Sequence, residues 1–363
     1  MNYNELLSAP MRETLGKAGY HTPTPIQQKS LEPLLGGKDM IGIAQTGTGK
    51  TAAFAIPIIE RIDSENRKPQ ALILCPTREL ALQTAGVFKM LSQHKKMRTV
   101  SIYGGQSANI QIQALRTGAQ VVVGTPGRVK DLISQNALKL KNVRCVVLDE
   151  ADEMLDYGFL PDIKSILSYV TAPHQTMLFS ATMSKQIASV AGSYLKNPVT
   201  VEVGQRNEPT ETVRQLCVHT AESGKLFMIN QLMQQVQPRL TLIFCNTRRR
   251  VKTLTKKLTA EGLNVACLHG DLSQNQRNSI MRAFRTGKTP VLIATDVAAR
   301  GIDVENIDLV VNYDVPDKPE YYVHRIGRTG RAGNAGLACT LVSEQDVPRL
   351  KTIKREYKVL MAQ

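Results

Sequence analysis

Aromatic residues are scarce in this sequence, and tryptophan is absent. Phe, Tyr and Trp together make up only 5% of the 363 residues. Proteins that hold single-stranded nucleic acid by stacking its bases need several exposed aromatic rings. The composition therefore argues against a stacking platform of that kind.

Long apolar segments are absent as well. No segment reaches the length that is needed to span a bilayer, and residues 1–10 lack the basic start and apolar core of a signal peptide. We therefore expect a cytoplasmic protein without a membrane partner.

Closely spaced cysteines are also missing. The six cysteines are scattered without a C-x-x-C pair, and most of them lie in apolar, strand-like segments. This distribution argues against a metal site or a disulfide framework, and it predicts reduced cysteines in the protein core.

Acidic residues are outnumbered by basic ones. The chain has 46 Lys and Arg against 31 Asp and Glu, a formal net charge of +15. Residues 1–212 hold 23 basic and 18 acidic residues, whereas residues 213–363 hold 23 and 13. Such an excess suggests a polyanionic partner, with nucleic acid favoured over an anionic membrane, although a generally basic protein is the alternative. The run Arg248–Arg250 is consistent with a solvated helix start.

Short apolar segments alternate with helical segments along both halves of the chain. This alternation predicts parallel sheets that are built from βαβ units. The pattern stops near Gly204–Thr212 and then starts again, so we predict one domain over residues 1–204, a linker over 205–212 and a second domain over 213–363. The expected strands are Asp39–Ile43, Ala71–Cys75, Thr99–Tyr103, Val121–Val123, Cys145–Leu148 and Met177–Ser180 in the first half, and Gln215–His219, Thr241–Cys245, Val265–Leu268, Val291–Ala294, Leu309–Asn312 and Leu337–Val342 in the second.

A glycine-containing loop, Ala44–Thr51, lies between a predicted strand and a predicted helix and reads Ala-Gln-Thr-Gly-Thr-Gly-Lys-Thr. The backbone N–H groups of such a loop, together with the dipole of the following helix, form a cradle for phosphates. The usual pattern begins with glycine rather than alanine, but Gly47 and Gly49 are present at the flexible positions. We predict that Lys50 reaches the β- and γ-phosphates of a nucleotide and that Thr51 holds Mg²⁺.

Two adjacent carboxylates follow the apolar strand that opens the segment Val146–Asp152. Taken alone, they are equally consistent with a Mg²⁺ site at the carboxyl end of a strand and with an acid-rich helix start in solvent. The phosphate loop favours the first interpretation, because such a loop needs a second carboxylate to complete the Mg²⁺ shell. We therefore predict that Asp149 holds the metal and that Glu150 orients or deprotonates the attacking water.

The segment His324–Arg331 carries three arginines at three-residue spacing among glycines. A basic solvated loop is the simpler interpretation of the segment alone. Phosphoryl transfer, however, develops negative charge on the γ-phosphate, and an arginine that neutralises this charge typically accounts for roughly 10³–10⁵ in rate. If Arg328 and Arg331 serve this purpose, catalysis requires the two halves of the chain to close around the nucleotide.

With these motifs in order, the chain resembles a DEAD-box ATP-dependent RNA helicase that consists of the minimal helicase core. The resemblance covers essentially the whole chain, and the acidic motif Asp149-Glu150-Ala151-Asp152 is the one that names the family. The other matching segments are Pro23–Gln27, Ala44–Thr51, Pro76–Ala81, Gly104-Gly105, Thr125–Arg128, Ser180–Thr182, Ala294–Asp303 and His324–Arg331.

The resemblance implies an ATP site. Gln27 would read the adenine edge, Tyr20 would lie against the base, Asp303 would face the ribose and His324 would face the catalytic centre. The family usually has a phenylalanine upstream, where this chain has Tyr3. The ATP-binding residues that the resemblance implies are Tyr20, Gln27, Thr46, Gly47, Thr48, Gly49, Lys50, Thr51 and Asp303.

The resemblance also implies a path for RNA. Ser180 and Thr182 would couple hydrolysis to RNA binding through contact with the acidic motif at Asp152. Contacts to phosphate and sugar carry no base information, and contacts to the 2′-OH favour RNA over DNA. The implied RNA-binding residues are Thr77, Arg78, Gly105, Thr125 and Arg128 in the first half, and Asn246, Arg248, Gly270 and Thr295 in the second.

The fold and function that the resemblance implies are those of a two-domain motor. We expect two RecA-like α/β domains of the P-loop NTPase type, with ATP, Mg²⁺ and RNA bound between them. ATP and RNA would favour a closed state that bends one strand, and phosphate release would reopen it. The expected partners are single-stranded RNA or a short duplex, and possible protein cofactors, on a monomeric core. The alternatives are an ATP-dependent RNA clamp with little strand separation and a DNA-translocating helicase.

Overall fold

The computed structural model describes residues 6–45, 47–203, 213–299, 307–330 and 335–357. The chain divides into two compact units, Met1–Gly204 and Gln205–Gln363, which are called unit 1 and unit 2 below. The predicted linker, residues 205–212, lies outside the described residues. Within the described ranges, no helix is long and apolar enough to cross a membrane.

Unit 1 contains a seven-stranded sheet in which all paired strands are parallel. Its strand order is β3-β4-β2-β5-β6-β1-β7. The strands are β1 Met40–Ile43, β2 Ala71–Leu74, β3 Thr99–Ile102, β4 Val121–Gly124, β5 Cys145–Leu148, β6 Gln175–Ser180 and β7 Val199–Glu202. The helices are α1 Ala9–Lys17, α2 Pro25–Leu35, α3 Lys50–Arg61, α4 Arg78–Leu91, α5 Ala108–Arg116, α6 Pro126–Ser134, α7 Ala151–Asp156, α8 Leu160–Ser168 and α9 Lys185–Tyr194.

The central strands of unit 1 are buried on both faces. Val146 and Leu148 of β5 belong to one apolar cluster, and Val147 between them belongs to another. Successive side chains of a strand point to opposite faces, so a strand covered by helices on both sides must be apolar throughout. This double burial explains the uninterrupted apolar segments of the sequence.

Unit 2 repeats this design with six parallel strands in the order β10-β11-β9-β12-β13-β8. It has its own two apolar clusters, one on each face of the sheet. The strands are β8 Val213–His219, β9 Thr241–Phe244, β10 Val265–Leu268, β11 Val291–Ala294, β12 Leu309–Asn312 and β13 Gly336–Val342. The helices are α10 Lys225–Val236, α11 Arg248–Ala260, α12 Gln274–Arg285, α13 Asp296–Ala299, α14 Pro319–Ile326 and α15 Val347–Tyr357.

The predicted α/β class with parallel sheets is confirmed. Strands β5, β10, β11 and β12 have the predicted boundaries, and the other predicted strands differ by a few residues at their ends. The prediction missed β7, a four-residue edge strand that pairs with β1 and is only partly buried. All six cysteines are free, and five of them are buried, as expected of reduced core residues.

Candidate functional site

The loop after β1 brings the glycine-rich segment to the start of α3. Gly47 and Gly49 have φ values of 83° and 90°, in the left-handed region that disfavours residues with a Cβ atom. A Cβ atom at Gly49 would also lie only 2.6 Å from Nε2 of Gln27 and 3.0 Å from Oγ1 of Thr24. Glycine is therefore required at position 49 for two independent reasons.

Gln27 joins this loop to the segment that precedes α2. Its side chain is fully buried, and its Oε1 accepts a hydrogen bond of 2.9 Å from the backbone N–H of Thr24. Its Nε2 donates to the backbone oxygen of Gly49 at 3.1 Å. Tyr20, the other predicted base contact, packs partly buried against the core of unit 1. Gln27 thus lies beside the phosphate loop, and its contact with adenine stays a prediction.

A buried lysine and a buried carboxylate lie at the carboxyl edge of the same sheet. Lys50 follows the loop after β1, Asp149 follows β5, and both side chains are less than a tenth exposed. Neither Nζ of Lys50 nor Oδ1 of Asp149 has a hydrogen-bond partner among the described residues. Burial raises the pKa of Asp149 to about 7, while Lys50 opposes this increase and Glu150 adds to it.

These two groups suit the ligands that the sequence predicts for them. A buried ammonium group suits phosphate oxygens, and a single carboxylate with the nearby Thr51 hydroxyl suits Mg²⁺, which usually takes one or two carboxylates plus substrate phosphates. The described residues contain no cluster of three or more His, Cys, Asp or Glu that could hold a metal by itself. The residues therefore fit a nucleotide-bound Mg²⁺ better than a metal held by protein alone.

Glu150 occupies the junction between β5 and α7 in an unusual conformation. Its φ and ψ are 50° and 55°, in the left-handed region, although it is not a glycine. Such a conformation costs on the order of 1–3 kcal/mol and is often found at functional sites. The turn separates the Glu150 carboxylate from the buried Asp149 carboxylate beside it, so that one is partly exposed and the other is not.

The last carboxylate of the acidic motif contacts the segment after β6. Oδ2 of Asp152 accepts hydrogen bonds from the backbone N–H of Ala181 at 3.1 Å and from Oγ1 of Thr182 at 3.3 Å. The buried Ser180 hydroxyl donates to the backbone oxygen of Thr182 at 2.8 Å. The predicted contact between this segment and the acidic motif is therefore present in the structure.

The predicted RNA-binding residues of unit 1 lie at the carboxyl edge of the sheet, away from the phosphate loop. Gly105 follows β3, Thr125 and Arg128 follow β4, and Thr77 and Arg78 follow β2. In the strand order these three strands are neighbours, β5 comes next, and β6 and β1 lie beyond it. The acidic motif after β5 therefore lies between the predicted RNA side and the predicted nucleotide side.

Two arginines of this edge are held by neighbouring groups. The guanidinium of Arg78 lies 4.5 Å from the ring centre of Tyr103. Arg128 donates to the backbone oxygen of Gln106 at 3.0 Å and to Oε1 of Gln111 at 3.4 Å. Both side chains are only partly buried, which leaves them accessible to a polyanion.

In unit 2, the segment that begins at His324 lines a small cleft. Arg328 is 8% exposed, and with His324, Asp296 and Tyr321 it borders this cleft. Arg325, between them in sequence, is almost completely buried. Arg325 and Arg328, which look equivalent in the sequence, therefore have different surroundings.

The side-chain amide of Asn246, a predicted RNA contact, is engaged within the protein. Its Nδ2 already donates to the backbone oxygen of Val315 at 2.9 Å and to Oδ1 of Asp317 at 3.1 Å. Its Oδ1 accepts a hydrogen bond of 2.8 Å from Arg325. Both amide hydrogens are committed within the protein, so RNA could receive one only by displacing a partner.

The other predicted RNA contacts of unit 2 are more varied. Arg248 is exposed and pairs with Asp271, and Gly270 is exposed beside it. Thr295 is nearly buried, and its Oγ1 accepts a hydrogen bond of 3.3 Å from the backbone N–H of Ala298 at the start of α13. Arg248 and Gly270 are thus accessible to a ligand, whereas the hydroxyl of Thr295 caps the start of α13.

An ion network of unit 2 was not predicted, and in the run Arg248–Arg250 it includes Arg250, whereas Arg248 and Arg249 are exposed as expected of a solvated helix start. Arg250 pairs with Glu222, lies 2.6 Å from Oδ1 of Asp314, and stacks over Tyr313. Lys225 is 1% exposed and lies 3.0 Å from Oε2 of Glu222. Burial alone would raise the pKa of Glu222, but the two cations bring it below its ordinary value. Arg250 lies 28 residues from Glu222 in the sequence, so a charge count could not reveal the network.

Three further predicted site residues, Thr46, Asp303 and Arg331, lie outside the described residues. Tyr3 also lies outside them. Their predicted contacts stay predictions.

The fold and this edge geometry define a class of protein, the P-loop nucleotide hydrolases with two RecA-like domains. Residues 24–190 match the family model described as DEAD/DEAH box helicase, and residues 224–333 match the helicase conserved C-terminal domain. The chain is 46% identical over 362 residues to a DEAD-box ATP-dependent RNA helicase, CshA, of Streptococcus pneumoniae, covering 99% of this chain and 69% of the relative. It is 44% identical to the ATP-dependent RNA helicase CshA of Limosilactobacillus reuteri, covering 99% and 73%. The chain belongs to the DEAD/DEAH box helicase family.

Solved structures agree with this assignment. The S. cerevisiae protein Dbp5 bound to RNA and ADP BeF3 has a TM-score of 0.90 and 33% identity, covering 99% of this chain and 95% of that one. Mss116p bound to single-stranded RNA and AMP-PNP has a TM-score of 0.87 and 28% identity, covering 99% and 77%. The predicted fold of two RecA-like domains is thereby confirmed.

Proposed function

We propose that this chain is an ATP-dependent RNA helicase, which hydrolyses ATP when it binds RNA and locally separates short duplexes or remodels RNA–protein complexes. The observation that carries the proposal is the buried pair Lys50 and Asp149. Among the described residues, neither Nζ of Lys50 nor Oδ1 of Asp149 has a hydrogen-bond partner. The helicase names of the curated relatives and the RNA-bound state of the structural relatives support the same function.

ATP binding falls mainly to the phosphate loop. Lys50 would neutralise the β- and γ-phosphates, while Gly47 and Gly49 let the backbone approach them. Thr51 and Asp149 would hold Mg²⁺, which supplies positive charge to the phosphate oxygens when it is bound. Because Gln27 is bonded to the carbonyl of Gly49, its interaction with adenine would also stabilise the phosphate loop.

Hydrolysis requires a water molecule that is aligned with the γ-phosphorus. In the proposed step, Glu150 orients this water and takes one of its protons as the oxygen attacks, and the bond to the ADP oxygen breaks. ADP and inorganic phosphate are the products. His324, Arg328 and Arg331 would stabilise the negative charge that develops during this step.

RNA binding would involve the polar and basic loops of both sheets. In unit 1, Thr77, Arg78, Gly105, Thr125 and Arg128 adjoin the acidic motif on the side opposite to the phosphate loop. The hydrogen bonds of Asp152 with Ala181 and Thr182 give a route by which a shift of the β6 loop would move the acidic motif. In unit 2, Arg248 and Gly270 are the accessible candidates.

A strand-displacement assay tests the function. A helicase should release one strand of a short RNA duplex in an ATP-dependent manner, and its ATPase rate should increase when RNA is added. Tight, ATP-locked RNA binding without strand release would support the clamp instead. Equal stimulation of the ATPase by DNA and RNA would support a DNA-translocating helicase.

The remaining expectations form part of the proposal. A cytoplasmic location agrees with the curated relatives, which are bacterial RNA helicases. We also propose a monomeric core with possible protein cofactors; cell fractionation and the mass of the purified chain in solution test these points.

A further inference from the structure

Arg325 is the most completely bonded side chain of the proposed site in unit 2. It lies in α14 between His324 and Arg328 and is 1% exposed. Its Nε and one terminal nitrogen form a fork with the Asp296 carboxylate, at 2.6 and 2.7 Å. Its guanidinium also lies 5.1 Å from the ring centre of Phe244.

The remaining hydrogens of the guanidinium have acceptors as well. One terminal nitrogen donates to the backbone oxygen of Asp314 at 2.6 Å and to Oδ1 of Asn312 at 3.3 Å. The other also donates to Oδ1 of Asn246 at 2.8 Å. A guanidinium has five N–H donors, so Arg325 has none left for a phosphate. It therefore cannot act as a transition-state cation without leaving Asp296.

The partners of Arg325 come from three loops at one edge of the sheet. Asn246 follows β9, Asn312 ends β12 and Asp314 follows it, and Asp296 begins α13 directly after Thr295. The backbone N–H of Arg328 donates to the backbone oxygen of Arg325 at 3.1 Å. One side chain thus connects the predicted RNA side of unit 2 to the segment of the predicted catalytic cations.

We propose that Arg325 is a positioning residue, which links Asn246 and the start of α13 to His324 and Arg328 so that RNA binding and ATP hydrolysis are coupled. A shift of Asn246 or Asp296 on RNA binding changes the acceptors of Arg325, and the backbone bond to Arg328 transmits the shift. This inference rests on the proposed function.

The test compares substitutions in the full chain. Arg325→Lys keeps the charge but loses the fork, and Asp296→Asn keeps the shape of the acceptor but only one of its oxygens. Two quantities are measured: kcat of the ATPase at saturating RNA, and the ratio of RNA dissociation constants without and with a non-hydrolysable ATP analogue. Coupling between two ligands typically changes affinity by roughly 5–150-fold.

In Arg325→Lys we expect the ratio to fall close to one and kcat to fall on the order of tenfold or more, with nucleotide affinity in the absence of RNA unchanged. Asp296→Asn should lower the ratio by an intermediate amount. If Arg325→Lys does not fold, Asp296→Asn serves as the test of the proposal. The matched control is Leu254→Ala, which removes a buried side chain from the opposite face of the same sheet. It should lower the unfolding temperature but leave the ratio unchanged.

Three outcomes are contrary to the inference. A folded Arg325→Lys variant with normal coupling would show that Arg325 only fills the core, and so would normal coupling in a folded Asp296→Asn variant. An equal loss of coupling in Leu254→Ala would show that general destabilisation is sufficient. If the unmodified chain has no RNA-stimulated ATPase, the proposed function itself fails, and the inference falls with it.

Discussion

At the scale of single residues, side chains of the same chemical type have different surroundings. Asp149 and Glu150 are adjacent carboxylates, but one is buried beside Lys50 and the other lies partly exposed at a left-handed turn. The strand pattern and the phosphate loop allowed both to be predicted from the sequence. Arg325 and Arg328 could not be told apart in that way, because the acceptors that distinguish them lie up to 79 residues away along the chain.

Replacing Glu150 by glutamine should separate binding from hydrolysis. The amide can still accept hydrogen bonds but cannot take a proton from water, so kcat should fall by roughly 10²–10⁴. Binding of ATP and of RNA should be retained. Kinetic and equilibrium measurements on Glu150→Gln check this, with Glu13→Gln, an exposed carboxylate of α1, as the control. Near-normal turnover would remove Glu150 from the proposed step.

The buried state of Asp149 predicts a pH dependence of metal binding. Its pKa is raised to about 7, and Mg²⁺ binds the ionised form, so metal affinity should rise with pH below 7 and level off above it. The decrease should approach about tenfold per pH unit well below 7, since one proton is released. The affinity of the chain for Mg²⁺ in the presence of ATP, measured at a series of pH values from roughly 5.5 to 8 on both sides of that pKa, checks this. If Asp149→Asn showed the same pH dependence of Mg²⁺ affinity, a group other than Asp149 would be responsible for it.

The same raised pKa affects folding of the unliganded chain in the opposite direction. Between the ordinary pKa of an aspartate and about 7, the unfolded chain loses its proton while the folded chain keeps it. The contribution of Asp149 to stability therefore falls as pH rises through this window. In Asp149→Asn, the free energy of unfolding should decline less over this interval than it does in the unmodified chain.

At the scale of elements, the carboxyl ends of the strands collect the polar groups. The loops after β1 and β5 were located from the sequence because glycine, lysine and acidic residues follow apolar segments there. The loop after β6 was singled out only by the family resemblance. Strand β7 was missed because an edge strand is only half covered, which leaves its sequence short and mixed in polarity. The partners of Asn246, Val315 and Asp317, could not be predicted because they belong to a distant loop, and its RNA contact stays a prediction.

The two glycines of the phosphate loop provide a matched pair of substitutions. Both Gly47→Ala and Gly49→Ala place a Cβ atom in a left-handed conformation, which costs about 1–2 kcal/mol. Nothing lies within 4 Å of the new atom at position 47, whereas Gln27 and Thr24 obstruct it at position 49. Gly49→Ala should therefore lose more stability and more ATP affinity than Gly47→Ala. Urea unfolding and nucleotide titration check the order, and equal losses would argue against a rigid contact between Gln27 and the loop.

At the scale of the whole molecule, the chain consists of two units with separate cores. The apolar clusters of the described residues each belong to one unit. This division was predicted from the break in the alternation of strand-like and helical segments near Gly204–Thr212. The predicted role of each unit was inferred from the residues that follow the carboxyl ends of its strands. The excess of positive charge in the second half gives no information about the fold.

Separate cores predict separate unfolding transitions. Leu254→Ala should destabilise unit 2 by about 2–5 kcal/mol and leave the transition of unit 1 in place, because each core is closed within its unit. Leu74→Ala, in β2, is the counterpart for unit 1. Calorimetry of the full chain checks this, and a single transition that shifts as a whole in both variants would indicate one cooperative molecule.

The backbone of Glu150 has a consequence for protein engineering. A left-handed residue with a Cβ atom is a position where replacement by glycine relieves strain, so a screen for heat resistance would tend to select against the carboxylate. Variants selected in this way would be more thermostable and would still bind nucleotide, but they would not hydrolyse ATP. Any programme that seeks a thermostable form of this enzyme should therefore exclude position 150 from its library.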